Sequence, residues 1–588
     1  MKVKLQYQKW LLLQLIILLS TPNFSQTESS FSYRESYFPM LSTNKHFQLK
    51  YHTMPLDNYW GLWGHNLIKW LKDEDHEEIY AFINHKRNHD QLCFSSENLK
   101  KIIKTRIDSL KESYQYFMIA PLDNTLACQC TKCLKAGNTK NNAAPAVFKL
   151  LNELALQNPN INFYTTAYLS VNEPPKQKQP NNIGLFFSTI NFQRGKAYNE
   201  LNDKHTLLEN LKKWQININH LLVWEYTLNY DNFLDFYPNL LVLQENLKFL
   251  KNNGVTGVFI NGSETYSVLQ EIKCATTARL LYNVNLDVDE ILKEEFLKRF
   301  PTEVAELSYQ FYSKINHEFS DSKYTMGIYT GMNDAYHKYL NPALLNTFYK
   351  DLNTLTKKHQ DQQTKSLLMS VCFLKLELMR YFGVEKYGYA ETINKTLLIK
   401  PEVAKLLYQL ETLSHQTGVT IYNEQGFKIS EYIEFWKKEI KNYNKTKNLF
   451  LNKDFEVLSQ LDHDYKNKKT LNNGSFGFLD YNNNWLINSI DDLEICVNAN
   501  DLEDNLYEIK LSFLNDPQHH IYFPSEVILS NAEKVLKAIQ IKKSIIKEKK
   551  AISISLDQKK YDLLNIKILR SEDNHQKRQM ACDQIIIN

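Results

Sequence analysis

Short apolar runs alternate with helix-like segments over the first half of the chain, and this alternation constrains the fold more than any other feature. Helix-like patterns cover residues 96–114, 144–157 and 236–252. The apolar runs are FSYRES (31–36), YWGLWGHN (59–66), YFMIAPLD (116–123), NFYTTAYLS (162–170), NIGLFFSTI (182–190), HLLVWEYTLN (220–229) and GVTGVFINGSE (254–264). Strands that alternate with helices predict a parallel sheet with crossover helices.

Seven such strands, with an eighth not identified, predict an α/β fold of the TIM-type (β/α)8-like barrel class. A doubly wound open sheet is the alternative. No GxGxxG motif follows any of the strands, so nothing in the sequence supports dinucleotide binding.

The rest of the chain divides into three further regions. Residues 1–25 combine three early lysines, an apolar run at 11–19 and a small residue before Gln26, which predicts a signal peptide cleaved at that point. After the barrel domain at 26–275, long amphipathic stretches predict a helical domain at 276–447 that packs on the barrel. Regularly spaced short strands then predict a β-sandwich at 448–588. The mature protein is expected to be periplasmic or secreted, without stable membrane insertion.

Charge and aromatic content narrow the class of partner. A formal net charge of +4 over 588 residues, without a clustered basic face, predicts no nucleic-acid partner. Aromatic residues make up 13% of the chain, and the flat faces of Tyr and Trp are suited to stacking on sugar rings.

Polar and ring-bearing side chains stand at or just after the ends of several predicted strands. In a barrel, the carboxyl ends of the strands build the active site, so we expect these side chains to meet there. The candidates are Arg34, His65, Asn66, Asp123, Tyr168, Trp224, Glu225, Tyr226, Asn261, Glu264 and Tyr266.

Three acids among these candidates are the predicted catalytic groups. Glycoside hydrolysis uses two carboxyl groups, one of which must stay protonated near neutral pH. Glu225 lies between Trp224 and Tyr226, where burial would disfavour its charged form, so it is the predicted general acid/base. Asp123 and Glu264 are the other two, and their roles relative to Glu225 stay open.

The motif CQCTKC contributes three of the eight cysteines, Cys128, Cys130 and Cys133, and Cys93 precedes it. Four thiolates predict a structural zinc site, and two disulfides are the equal alternative in an oxidising compartment. Either arrangement would pin the loop that carries Asp123. No cofactor is expected for catalysis.

Several ordered motifs carry a resemblance to a known family. They are WGLWGHN, YAFINHKRNHDQLCFSS, IAPLDNTLACQCTKC, FYTTAYLS, VWEYT and GVTGVFINGSE. Together they resemble a large family of exported glycoside hydrolases, long without an assigned function, from Gram-negative glycan degraders. The family includes endo-β-N-acetylglucosaminidases that act on complex N-glycans, and it is distantly similar to hexosaminidases and α-glucuronidases. The resemblance covers residues 31–315 and implies a barrel with its site near Asp123, Glu225 and Glu264.

The chain departs from that family in two places. A serine-rich, SPND-like motif is replaced by APLD at 120–123, which keeps the aspartate, and the small α/β domain that commonly precedes the barrel is absent before FSYRES. In the tail, TLNNGSFGFLDYNNNW, IYFPSEVILSN and CDQIIIN resemble a discoidin-like (coagulation factor type C) module. Such modules often bind sugars through exposed aromatic side chains.

Two functions follow from these features. The first is a retaining glycoside hydrolase of complex glycans that cleaves a β-N-acetylglucosaminide, with α-glucuronidase-like activity as an open alternative. The acetamido group of the sugar would be the nucleophile, stabilised by Asp123, or Glu264 would be an enzyme nucleophile. The second is a non-catalytic glycan-binding protein with a degenerate barrel, which the two departures favour.

Overall fold

The computed structural model describes residues 29–588 apart from 73–75, 202–203, 463–465, 503–504, 533, 560 and 574–575. The predicted signal peptide and its cleavage before Gln26 lie outside the described residues. Across the described part of the chain, no helix is both long enough and apolar enough to cross a bilayer.

A seven-stranded parallel sheet forms the first half of the chain, and its strands coincide with the seven predicted apolar runs. The first nine strands are β1 (Tyr33–Tyr37), β2 (Trp60–Leu62), β3 (Tyr80–Ile83), β4 (Lys86–Leu92), β5 (Tyr116–Met118), β6 (Asn162–Ala167), β7 (Ile183–Ser188), β8 (His220–Tyr226) and β9 (Gly257–Asn261). Strands β3 and β4 form a separate antiparallel hairpin. The others form the sheet in the order β1-β9-β8-β7-β6-β5-β2.

The predicted closed barrel of eight strands is not confirmed, because this sheet has seven strands in the described residues and β1 and β2 are its edges. The two edges are nevertheless adjacent. Trp60 Nε1 of β2 donates a hydrogen bond to Tyr33 Oη of β1 at 3.1 Å, and their rings are 5.9 Å apart. Side-chain contacts therefore connect the edges where a closed barrel would have a backbone ladder, and the sheet curves into an open, barrel-like half-shell.

Large side chains fill the concave side of the sheet. Successive residues of a strand point to opposite faces, so alternate positions supply this inner cluster. Its buried members are Tyr33, Leu56, Trp60, Met118, Ala120, Tyr164, Phe186, Leu222 and Phe259. The inner face is therefore a packed apolar core, and only its rim is open to a ligand.

Helices cover the convex side and continue beyond the sheet. Those of the first half are Pro39–Ser42, Lys45–Tyr51, Leu56–Tyr59, Glu97–Leu110, Thr131–Ala136, Ala144–Gln157, Lys204–Gln215, Leu240–Asn252 and Gln270–Tyr282. The later ones are Val288–Arg299, Thr302–Asp321, Met332–Lys338, Pro342–Lys358, Gln362–Phe382, Pro401–Thr417 and Ile429–Tyr443. A short hairpin of β10 (Ala390–Ile393) and β11 (Thr396–Ile399) interrupts this second, helical group.

Two antiparallel sheets follow the last helix, as the strand pattern of the tail predicts. Their strands are β12 (Glu456–Val457), β13 (Leu486–Asn488), β14 (Leu493–Asn498), β15 (Leu506–Asn515), β16 (Glu526–Asn531), β17 (Lys534–Gln540), β18 (Glu548–Lys559), β19 (Leu563–Leu569) and β22 (Met580–Ile587), with a small hairpin of β20 (Glu572–Asp573) and β21 (Gln576–Lys577) before the last. The sheet orders are β12-β14-β19-β16-β17 and β13-β22-β15-β18, and one apolar core lies between them. The domain boundaries at residues 275 and 447 stay predictions.

A buried ion-pair network connects the helices to the antiparallel sheets. Arg380 of helix Gln362–Phe382 pairs with Glu377 at 2.8 Å and with Asp480 at 2.9 Å. All three side chains are buried. Because a buried charge is costly unless it is paired, this network fixes how the Asp480 segment packs against the helix.

Candidate functional site

The carboxyl ends of the parallel strands form one rim, which we call the mouth. Polar and aromatic side chains lie at or after the ends of most of these strands. The mouth residues, which lie at or within five residues of the end of a strand, are Trp63, His65, Asp123, Tyr168, Trp224, Tyr226, Asn261 and Glu264.

Two tryptophans form the floor of the mouth. The rings of Trp63 and Trp224 stack at 5.1 Å with an angle of 19° between their planes. Both rings also contact Phe259 of the inner cluster, each at 4.7 Å. Gly64 follows Trp63 with a φ of +65°, a backbone conformation that glycine adopts without strain, and it lies next to the Trp224 ring. The two indole rings of the floor are therefore held by aromatic contacts, and both side chains are partly exposed.

Asp123 is exposed at the mouth and is held by its neighbours. Its carboxylate interacts with the hydroxyl of Tyr168, whose pKa is raised first by burial and then by the Asp123 charge. The Tyr168 ring lies 5.7 Å from the His65 ring, and His65 Nδ1 hydrogen-bonds to the Pro121 carbonyl at 2.7 Å. His65 and Tyr168 thus position the loop and the carboxylate of Asp123.

A further acid, Glu424, reaches the mouth from the helical part of the chain. It lies between helices Pro401–Thr417 and Ile429–Tyr443, in a loop that is hydrogen-bonded to the loop after β8. Glu424 N donates to the Tyr230 carbonyl at 3.0 Å, and Phe233 N donates to the Tyr422 carbonyl at 2.7 Å. These backbone contacts fix Glu424 beside the strand ends.

The surroundings of Glu424 favour its protonated form. The Glu424 side chain is exposed overall, but the surrounding protein partly removes water from its carboxyl group, and this desolvation raises the pKa of Glu424. A hydrogen bond from Tyr329 Oη to Glu424 Oε2, at 3.0 Å, acts to lower the pKa. The charges of Asp123 and Glu264 act to raise it. Three carboxyl groups from separate loops are therefore close enough to influence one another.

Glu225 is not at the mouth, although its neighbours in sequence are. Trp224 faces the inner cluster, so Glu225 points to the opposite side of β8. There Arg194 Nη2 donates to Glu225 Oε1 at 2.9 Å, and Tyr198 Oη donates to Oε2. Both oxygens of this buried carboxylate are occupied, and Arg194 also donates to the Thr189 carbonyl at 2.9 Å. The arrangement braces the loop after β7 against β8.

Three other candidates make local backbone contacts or line another cavity. Arg34 donates to the Phe31 carbonyl at 2.6 Å, near the start of β1 and away from the strand ends. Asn66 closes its own turn by donating to the Trp63 carbonyl at 2.8 Å. Tyr266 lines a different cavity, of about 390 Å³, together with Arg299.

Sequence reasoning missed Tyr230, Tyr329 and Glu424. Tyr230 Oη hydrogen-bonds with Asn261, at 3.0 Å to its carbonyl and 2.8 Å to its amide, and its ring lies 6.2 Å from that of Tyr329. One local signal for Glu424 exists in YNEQG (422–426), an acid before a glycine between two amphipathic helices.

The four cysteines singled out by sequence come together beside the mouth. The Sγ atoms of Cys93, Cys128, Cys130 and Cys133 all lie within 4.8 Å of one another. All cysteines in the described residues are free thiols.

Comparisons with solved structures give distant likenesses. A chitosan-binding module from a chitosanase/glucanase of Paenibacillus sp. IK-5 is 12% identical over 24% of this chain and 98% of the module, with a TM-score of 0.17. The fucose-binding module SpX-3 of Streptococcus pneumoniae is 16% identical over 24% and 98%, with a TM-score of 0.19. The structure of CpGH84B is 12% identical over 69% of this chain and 77% of that one, with a TM-score of 0.27.

No curated protein matches the chain. A family model with the description "Domain of unknown function (DUF4838)" matches residues 18–313, which is half of the 588-residue chain and includes the parallel sheet with all its strand ends. The chain therefore belongs to the DUF4838 family.

Proposed function

We propose that the chain is a glycoside hydrolase that cleaves complex glycans at the mouth, with a β-N-acetylglucosaminide as its substrate class. The observation that carries the proposal is the approach of Asp123 and Glu264 to Glu424, close enough for their charges to raise its pKa, at a mouth whose floor contains Trp63 and Trp224. Glycoside hydrolysis requires carboxyl groups on either side of the scissile bond, and tryptophan faces stack on sugar rings.

Glu424 is the proton donor in this proposal. A general acid must be protonated when substrate binds, and the raised pKa of Glu424 keeps it so at higher pH than an ordinary carboxyl group. Because the Glu424 side chain is exposed, its carboxyl group can reach a leaving-group oxygen. Glu225, the acid that the sequence favours, becomes a positioning residue, because Arg194 and Tyr198 occupy both of its oxygens.

Asp123 and Glu264 supply the second carboxylate. In a substrate-assisted reaction, Asp123 would stabilise the acetamido group as it attacks the anomeric carbon, and the Tyr168 hydroxyl would orient the Asp123 carboxylate. In a reaction with an enzyme nucleophile, Glu264 would take that role. Both routes are retaining, and Glu424 protonates the leaving oxygen in each.

A second cavity supports an extended substrate. It has a volume of about 340 Å³ and shares Tyr329 with the mouth. Its other polar and aromatic lining residues include Asn333, Tyr381, Tyr481, Asn482 and Asn484. Amide and phenol groups recognise sugar hydroxyls, so this cavity suits a sugar several units from the cleaved bond, which favours action within a glycan. Export of the mature chain to the periplasm or the outside, as the first residues predict, would bring it to such glycans.

Sugar release from a glycan panel tests this proposal. The panel contains complex N-glycans, N-acetylglucosamine-capped oligosaccharides and glucuronate-capped oligosaccharides, with products identified by mass spectrometry. We expect release from the N-glycans. Release from the glucuronate-capped oligosaccharides alone would indicate an α-glucuronidase instead. Binding without any release would instead support the non-catalytic glycan-binding function.

The pH profile gives a prediction specific to Glu424. Because the acid must be protonated, kcat/KM should fall as pH rises through the raised pKa of Glu424. The hydrogen bond from Tyr329 lowers the pKa of Glu424. Tyr329→Phe removes this bond, so the basic limb should move to higher pH in that variant. Tyr324→Phe, at another exposed tyrosine, should leave the limb unchanged. A limb that stays in place in Tyr329→Phe would argue against Glu424 as the titrating acid.

A further inference from the structure

We propose that Cys93, Cys128, Cys130 and Cys133 bind one structural zinc ion. The Cys93 sulfur lies 3.6 Å from that of Cys130 and 3.8 Å from that of Cys133. Zinc–sulfur bonds of about 2.3 Å place the sulfurs of a tetrahedral site about 3.8 Å apart. The four sulfurs are close to one another as a group, which is the arrangement of ligands around one shared ion.

Three separate elements present these sulfurs. Cys93 follows β4 of the hairpin, Cys128 lies in the loop after β5, and Cys130 caps helix Thr131–Ala136, whose first turn contains Cys133. The C-x-C-x2-C spacing lets one loop and one helix turn supply three ligands, and the hairpin supplies the fourth. None of these elements is long enough to bury much apolar surface alone, and a metal would join them.

Backbone amides support the thiolate state of the ligands. Phe82 N donates to Cys128 Sγ at 3.2 Å, and Cys133 N donates to Cys130 Sγ at 3.5 Å. Such N–H donors around a metal ligand fix its orientation and partly neutralise its charge. Gln129 N also donates to the Phe82 carbonyl at 2.8 Å, and this hydrogen bond joins the cysteine loop to the hairpin.

The side chains beside the cluster carry a net charge of +2, although Lys100 and Lys132 pair with Glu97 and Glu153. Four thiolates around Zn²⁺ carry a net charge of −2, and nearby positive charge would stabilise that state. A cavity of about 380 Å³ begins at Phe94 and Ser95, directly after Cys93, and has four lysines against two glutamates on its walls. These are Glu97, Lys100, Lys132, Lys135, Lys149 and Glu153.

The zinc site would also support the mouth. Gln91, two residues before Cys93, is buried, and its Nε2 donates to the Leu122 carbonyl at 3.1 Å and to Asn124 Oδ1 at 3.0 Å. Its Oε1 accepts from Leu122 N at 3.0 Å. The residues on both sides of Asp123 are therefore attached to the hairpin that carries Cys93. This consequence for activity rests on the proposed function, whereas the zinc site itself does not.

Metal analysis of the purified full-length chain tests the site without reference to activity. We expect about one zinc per chain by elemental mass spectrometry, and absorption bands of tetrahedral cobalt thiolate after exchange with Co²⁺. Cys133→Ser should lose the zinc, whereas Cys496→Ser, a cysteine of β14 outside the cluster, should keep it. If Cys133→Ser does not fold, the zinc content and the cobalt spectrum of the unaltered chain still show whether the site binds a metal.

Two results would overturn the zinc site. One is a metal-free chain whose intact mass is lower by four hydrogens than that of the reduced chain and whose peptide map places two disulfides among the four cysteines. The other is a metal-free chain, after expression with zinc in the medium, in which peptide mapping finds all four of these cysteines alkylated as free thiols. If zinc is bound but no glycan is cleaved, the zinc site stands and the proposed function fails.

Discussion

Glu424→Gln is expected to lower kcat on a glycan substrate by roughly 10²- to 10⁴-fold, the usual contribution of a general acid. The amide keeps the size of the side chain and can still accept the Tyr329 hydrogen bond, but it has no acidic proton to transfer. KM should change little, because the floor of Trp63 and Trp224 is unaffected. The measurement is steady-state kinetics on the glycan that the panel identifies.

Two comparisons make the Glu424 result specific. Glu431→Gln, at an exposed acid on the following helix, should retain full activity. A nitrophenyl glycoside of the same sugar has a leaving group that needs no proton, so Glu424→Gln should lose far less activity on it than on the glycan. An equal loss on both substrates would mean that Glu424 does not act as the acid.

Glu225→Gln is expected to destabilise the fold by about 3–5 kcal/mol, the cost of leaving a buried charge without its partner. Arg194 would then stay buried with its positive charge uncompensated. Urea denaturation of the variant and the unaltered chain gives the difference in free energy of unfolding. Any loss of activity should follow the loss of folded protein.

An exposed pair provides the matched control for Glu225. Glu173→Gln removes the partner of Lys213, and both side chains are about half exposed, so the free energy of unfolding should change by no more than about 1 kcal/mol. If Glu225→Gln left stability unchanged and abolished activity, Glu225 would be the acid that the sequence favours, and Glu424 would not be the proton donor.

The sequence predicted the parallel sheet well because its strands are buried on both faces. Such strands are continuous apolar runs bounded by polar residues, and all seven runs coincide with strands. Because both faces of such a strand are apolar, its sequence does not show which face points inward. Trp224 and Glu225 are adjacent and therefore point to opposite sides of β8, and only the contacts with Phe259 and Arg194 distinguish the two faces.

Two other features depend on contacts between residues distant in the chain. The edges β1 and β2 are joined by the Trp60 and Tyr33 side chains and not by a backbone ladder, and no local pattern encodes the absence of an eighth strand from the described sheet. Glu424 joins the mouth through hydrogen bonds between the loops around Tyr230 and Tyr422. The local sequence pattern places the loop that carries Glu424 in a helical domain and predicts no site there.

The most direct test of glycan cleavage at the mouth compares sugar release and binding by the unaltered chain and Glu424→Gln on one complex N-glycan. Mass spectrometry of the products and calorimetry of binding are run on the same preparations. We expect release by the unaltered chain, and binding of similar strength with almost no release in Glu424→Gln. Equal release by both proteins, or binding by both with release by neither, would contradict a catalytic mouth with Glu424 as its acid.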